Sequence, residues 1–330
     1  MTATTKYDKE RFSLTTLTER EQDGLVSALS DAEMKLLQAV KNRYIAEVAS
    51  NVGVFDDIFF VRFLRARGFD EGKTCKMLDK YFKWRTDFKV NELIKSNFIE
   101  RMLYVKKHYP HGYHGVDKLG RPMYIERMGV GNVPELMKVL SQEQILQYYV
   151  QLYEYLKHVI LPACSIAANK CVEQAVTIID LKGVSVTSIN GKTKSLVQGM
   201  AKMSQDYFPE ILGKMLFVNA SSIFSIIWAI VKPLLDSKTI KKVTVISSKE
   251  KSLEALAELA DPDQLPQFLG GACPNDEWST NAVGPWMDPQ IIRHLQDKYT
   301  SVPVELYDLA YLRIKTAATI NLSDRDLGQL

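Results

Sequence analysis

The chain has 330 residues, is 46% hydrophobic and 25% charged, and carries a formal net charge of +3. That is ordinary globular usage, enough for one large domain and a smaller one, and too weakly basic to argue for nucleic acid. Four cysteines, Cys75, Cys164, Cys171 and Cys273, are too few for a disulfide framework.

The opening "MTATTKYDKERFSL" is charged and hydroxyl-rich without an apolar core, so it reads as no secretory signal and the expectation is a cytosolic protein. The first hundred residues read as helical. "FDDIFFVRFLRAR" (55–67) places Asp at its start and Arg at its end, the polarity a helix dipole favours. Gly68 can end it and Asp70 can cap a successor whose Met77, Leu78, Tyr81, Phe82, Trp84 and Phe88 share one face. Nothing before Lys106 alternates like a strand.

After Tyr109 the pattern changes. Short β-branched or aromatic runs at 122–127, 174–180, 214–219 and 242–248 alternate with helical stretches, which predicts an α/β unit with crossover helices and a mostly parallel sheet, ending near 269–275. Between the first two runs, Ser141 and Gln144 form a capping box before a helix lined by Ile145, Tyr148, Tyr149, Leu152, Leu156 and Val159, with Pro162 expected to stop it.

"SSIFSIIWAIVKPLLDSKTIKK" (221–242) is strongly apolar at first and basic at its end. Ile223 to Leu235 is 13 residues, Ser225, Lys232 and Pro233 included. A spanning helix needs roughly 20 apolar residues, so this stretch is too short.

Enzyme signatures fail. The Gly-Lys-Thr triplets at 72–74 and 191–193 have Arg67 and Val186 where a phosphate loop needs its first glycine, and neither Gly-x-Ser-x-Gly nor GxGxxG occurs. His108, His111 and His114 would line one side of a helix as metal ligands, but Pro110, Gly112 and Gly115 interrupt them and no cysteine or carboxylate pair completes a set. Asp180, ending an apolar strand, reads as the cap of the turn "LKG" rather than as a catalytic carboxylate.

"FLRARGFD" (63–70), "DKLGRPMY" (117–124), "LPACS" (161–165), "TIIDLKGVS" (177–185), "SQDYFPEILGKMLFVNA" (204–220), "KPLLDSKTIKKV" (232–243), "LPQFLGG" (265–271) and "GPWMDP" (284–289) occur in one order over about residues 35–290. In this the chain resembles the Sec14-type phosphatidylinositol transfer proteins of the CRAL-TRIO family. The resemblance implies a helical N-terminal domain (1–105), a CRAL-TRIO lipid-binding domain (106–275) and a C-terminal extension (276–330). It also implies a large apolar cavity holding one phospholipid and no other cofactor.

By the same resemblance, Ile223, Phe224, Ile226, Ile227, Trp228, Ile230, Val231, Leu234 and Leu235 belong to a gate helix over the cavity mouth that ends at Pro233. The phosphatidylinositol head group falls to Glu210, Thr239 and Lys242, with Asp236 and Lys241 nearby and Arg67 associated. This is a chemical match, since a carboxylate accepts from inositol hydroxyls while cations and hydroxyls meet the phosphodiester. A second lipid of the phosphatidylcholine type falls to Tyr113, Tyr124, Thr177 and Ser204. Ala175 stands where the family has a serine, which puts the phosphate contact of that second lipid in question. The implied partners are phosphatidylinositol, a second lipid and a transient membrane surface at Golgi or endosome. Nucleic acid is not among them, and the protein is expected to be a monomer and no enzyme. Carriage of a sterol, retinoid or tocopherol, or a lipid-sensing interaction module, are the alternatives.

Overall fold

The computed structural model describes residues 26–96, 99–185, 190–273, 278 and 283–311. The signal-peptide reading of residues 1–14 and the end of the C-terminal extension, 312–330, lie outside the described residues.

Local signals set the helical N-terminal part. Ser30 and Glu33 close a capping box at the start of α1 (Asp31–Arg43), and the short α2 (Ile45–Ser50) follows. Asp56 accepts the Phe59 N–H at 3.0 Å to open α3 (Asp57–Ala66). Gly68 and Phe69 then turn the chain through positive φ, and Asp70 caps α4 (Glu71–Asp87) as expected. Phe59, Phe60, Phe63 and Leu64 of α3 interlock with Met77, Leu78, Tyr81 and Phe82 of α4 in one core. Two further helices, α5 (Val90–Leu93) and α6 (Ile99–His108), lead to the sheet.

The sheet has five strands in the order β1 (His111–Val116), β2 (Pro122–Arg127), β3 (Ala175–Asp180), β4 (Leu212–Val218) and β5 (Val243–Val245), with β1 antiparallel to β2 and every other pair parallel. The four expected strands are present and the fold is α/β. Strand β1 is the one the sequence hides, because "HGYHGV" has two glycines and no β-branched residue before its last. It forms by pairing with β2, and Gly115 lies at φ +67° where a Cβ would come within 2.2 Å of the Gln264 carbonyl oxygen.

Between β2 and β3 run α7 (Val133–Val139), α8 (Gln142–Tyr155) and α9 (Leu161–Ala168). The capping box of Ser141 and Gln144 opens α8, and the six residues assigned to its apolar side are all buried. Pro162 does not stop the helical path. A wide π turn, Leu156–Ile160, closed by the Leu161 N–H on the Leu156 carbonyl, leads into α9, where Pro162 sits in the first turn and needs no intrahelical N–H partner. Helix α10 (Gly191–Tyr207) joins β3 to β4, α11 (Phe224–Val231) and α12 (Ser237–Lys241) join β4 to β5, and α13 (Lys249–Leu259), α14 (Pro289–Lys298) and α15 (Val304–Tyr311) follow.

The two-residue period of the strands sorts side chains by face. Met123, Ile125, Val176, Ile178, Leu216 and Val218 pack outward against Leu256, Leu259, Leu265, Leu269 and Trp278. Tyr113, Tyr124, Glu126, Ala175, Thr177, Ile179, Met215 and Phe217 point to the other side. His111 and His114, three apart on β1, are therefore split. The Tyr109 carbonyl fixes the His111 proton on Nδ1, so Nε2 accepts from the Tyr148 hydroxyl at 2.8 Å, whereas His114 donates to the Trp278 carbonyl on the opposite face.

A largely buried network ties the helical part to α8 and the π turn after it. Arg85 donates to Glu154 at 3.0 Å, and Glu154 also takes Lys157 at 3.3 Å and His158 at 3.0 Å. Burial works against charge on Glu154, but Arg85 and Lys157 hold its carboxyl well below the usual range. His158 uses both nitrogens, since Nδ1 accepts the Val54 N–H, and burial pushes it down to about 4.

Candidate lipid-binding site

The inner sheet face, α8, α10 and α11 enclose two adjoining cavities of about 250 and about 400 Å³. They share Glu126, Met128, Tyr149, Val197, Met200, Ile227 and Val231 as common walls. Apolar and aromatic side chains with a few convergent polar groups form the usual lining of a small-molecule site.

The smaller cavity brings together most of the expected residues: Arg67, Tyr113, Tyr124, Ala175, Thr177, Ser204, Glu210, Asp236, Thr239 and Lys242, with Ile227, Val231 and Leu235. The elements that place them are distinct. Glu210 lies in the turn between α10 and β4 at φ +58°, a left-handed conformation uncommon for a residue other than glycine. Lys242, just before β5, puts its ammonium 3.2 Å from the Glu210 carboxylate, and both side chains are mostly buried. Asp236 caps α12, accepting the Thr239 N–H at 2.7 Å and the Thr239 hydroxyl at 3.2 Å, and it also takes the Gln205 amide. Burial opposes its charge, yet these donors keep its carboxyl below the ordinary range. Arg67 ends α3, donates to its neighbour's carbonyl and remains largely in solvent at the rim. Lys241, in contrast, is exposed on α12 and lines neither cavity.

Helix α11 closes one side. Ile227 and Val231, four apart, face both cavities, and Ile230 faces the larger one. Phe224 packs on Phe217 and stacks on Trp228, Ile223 is buried, and Leu234 is half-buried in a 3₁₀ turn through Pro233. Ile226 is 42% exposed, so the helix offers one apolar side inward and further apolar surface outward.

Deeper in, Ala175 is buried beside Thr177 and presents only a methyl. Tyr153, Gln205, Phe208 and Glu126 also line the walls and were not singled out in the sequence. Two of them follow from periodicity, because Tyr153 is one helical turn past Tyr149 and Glu126 is two strand positions past Tyr124. Burial raises the Glu126 carboxyl, although the Tyr109 hydroxyl donates to it. The Tyr124 hydroxyl lies close to Glu126 and Tyr149 without making a hydrogen bond of ordinary geometry. Asp180 stands apart from the cavities, capping its turn through the Lys182 N–H and holding the Asn219 amide.

The inner face of the mostly parallel sheet thus floors an apolar cavity whose lining includes a carboxylate and an ammonium, a wall chemistry suited to an amphipathic ligand. The CRAL/TRIO domain model matches residues 106–271, and the chain belongs to that family. The Arabidopsis thaliana phosphatidylinositol/phosphatidylcholine transfer protein SFH9 is 41% identical over 241 residues, 72% of this chain and 41% of its own. SFH12 of the same plant, named likewise, is 35% identical over 277 residues, 83% of this chain and 51% of its own. The chain thus spans about half or less of these plant relatives. The Sec14 cytosolic factor of Schizosaccharomyces pombe is 39% identical over 237 residues, 71% of this chain and 82% of its own. The crystal structure of Sfh5 superposes with a TM-score of 0.58 over 82% of this chain and 97% of that one, at 17% identity, which speaks for the fold alone.

Proposed function

We propose that this protein extracts one phosphatidylinositol from a membrane, holds it in the cavity and delivers it to another membrane, exchanging it for a second lipid. The observation that carries the proposal is the convergence of Glu210, Lys242, Thr239 and Arg67 on the wall of one apolar cavity, from segments 67 to 242 of the chain. A carboxylate suits inositol hydroxyls, and the ammonium, guanidinium and hydroxyl suit the phosphodiester. The names of the plant relatives support the same ligand pair. A sterol, retinoid or tocopherol would make no use of the Glu210 and Lys242 pair.

Two acyl chains hold roughly 30 methylenes, and bringing them into water at about 0.8 kcal/mol each costs on the order of 25 kcal/mol. Bilayer and cavity are both apolar, so the end states can balance while the aqueous path is prohibitive. A protein that opens only at the bilayer removes that barrier without covalent chemistry. Helix α11 suits the gate, with Ile227 and Val231 inward and Ile226 outward. No helix among the described residues is long enough and apolar enough to cross a membrane. In this proposal the carrier is peripheral, cytosolic and monomeric and visits Golgi or endosomal surfaces.

The test is to incubate the purified protein with vesicles of mixed phospholipids and sterols, re-isolate it and identify its lipid by mass spectrometry. Phosphatidylinositol near one per protein is the expected result, and the accompanying lipid names the second ligand. Recovery of only a sterol or a neutral isoprenoid would overturn the reading.

A further inference from the structure

The turn that carries Glu210 is held in part from outside the lipid-binding part of the chain. Glu210 has φ +58°, a backbone state that ordinary L-residues avoid and that persists only where the surroundings impose it. Helix α10 ends at Tyr207, and the Phe208 N–H closes its last helical bond, onto the Ser204 carbonyl at 3.0 Å. Beyond that bond, two stacked ring pairs hold the chain where it leaves the helix. Tyr207 lies flat on Trp84 of α4, with centroids 4.0 Å apart and planes 7° from parallel, and Phe208 lies on Tyr153 at 4.4 Å and 12° while meeting Trp84 edge-on at 5.8 Å. Lys80, one turn before Trp84, pairs with Asp206 at 2.7 Å and sits over the Tyr207 ring. Trp84 and Tyr207 each pack against both the helical core and the lipid-side core, which makes this stack a joint between the two.

We propose that Trp84 is a positioning residue for the head-group carboxylate: by clamping Tyr207 it fixes the turn that presents Glu210 to the cavity, so the helical N-terminal part sets lipid selectivity. This rests on the reading of Glu210 as an inositol contact. Ser204, which serves the second lipid in that reading, lies inside α10, and its carbonyl accepts the Phe208 N–H. Loosening the stack therefore moves Glu210 more than it moves Ser204, and the two lipids respond unequally.

The experiment uses the full chain with Trp84→Ala, Trp84→Phe and Tyr207→Leu, each exposed to vesicles of phosphatidylinositol and phosphatidylcholine and analysed for the ratio of phosphatidylinositol to all other recovered lipid. An offset aromatic pair is worth enough to shift that ratio by about fivefold, so Trp84→Ala and Tyr207→Leu lower it by that order and Trp84→Phe, which keeps a stacking ring, stays near wild type. Tyr207→Leu changes a half-buried side chain on the other half of the joint and provides the same readout if Trp84→Ala does not fold. A ratio equal to wild type in Tyr207→Leu, or a parallel fall of both lipids, would overturn the proposal and leave the stack a structural contact. The wild-type arm separates this from the function itself: wild type devoid of phosphatidylinositol sinks the head-group assignment, whereas wild type loaded and variants unchanged sinks only the role of Trp84.

Discussion

Replacing Glu210 and Lys242 together with alanine isolates the head-group site from the fold. The two side chains meet at 3.2 Å, with 15% and 22% of their surfaces exposed, and each is the other's ionic partner. Removing one leaves a mostly buried charge without its partner, which confounds binding with stability. Removing both leaves no such charge, so the melting temperature of the double variant stays close to wild type. The lipid then loses a carboxylate acceptor for inositol hydroxyls and an ammonium donor to phosphate. At about 1.5 to 3 kcal/mol for each charge-assisted bond, the loss is about 3 to 6 kcal/mol, at least a hundredfold in affinity. The assay is transfer of labelled phosphatidylinositol and labelled phosphatidylcholine between vesicles, run beside a thermal melt. Phosphatidylinositol transfer falls to background while transfer of the second lipid continues. Equal loss of both lipids at an unchanged melting temperature, or retention of phosphatidylinositol transfer, would refute the assignment.

Other outcomes follow from buried groups. Ala175→Ser restores a hydroxyl beside Thr177 and raises phosphatidylcholine transfer, by about tenfold if the new bond to phosphate forms; an unchanged rate removes the argument from that position. Glu154→Ala leaves Arg85 and Lys157, with side chains 0% and 7% exposed, without an anion. That costs about 3 to 5 kcal/mol, a fall of roughly 10 °C in melting temperature, and an unshifted melt would mean the network is already hydrated. Burial holds His158 and His114 at about 4 and His111 at about 3, against 6.5 in the unfolded chain. All three are neutral in both states above pH 6.5, so their contribution is complete there. Below it the unfolded chain binds protons that the folded one refuses, and stability falls by about 2 kcal/mol per histidine by pH 5. Denaturant midpoints measured from pH 8 to pH 5 check this, and a flat profile would show that the imidazoles protonate in place.

Much of the fold was legible because its signals are local. The caps read at Asp70 and Ser141 are side chains bonding backbone N–H groups three residues on, and the four recognised strands carry their own β-branched or aromatic runs. Strand β1 and the passage through Pro162 were not legible, because one depends on a partner strand and the other on a widened turn that re-phases the helix. Resemblance indicated which residues to bring to the cavity, and their chemistry made the choice reasonable. Tertiary structure alone decided that Arg67 stays at the rim, that Lys241 faces solvent although Lys242 beside it faces Glu210, and that Glu126 joins the wall between two cavities. Adjacent residues diverge at the end of α12 because direction there is set by the helix exit and the start of β5, which no pair of neighbouring lysines encodes. The sequence by itself determined the helices, the inward and outward faces and the ionisable types available; only packing determined which of those charges leave water and meet.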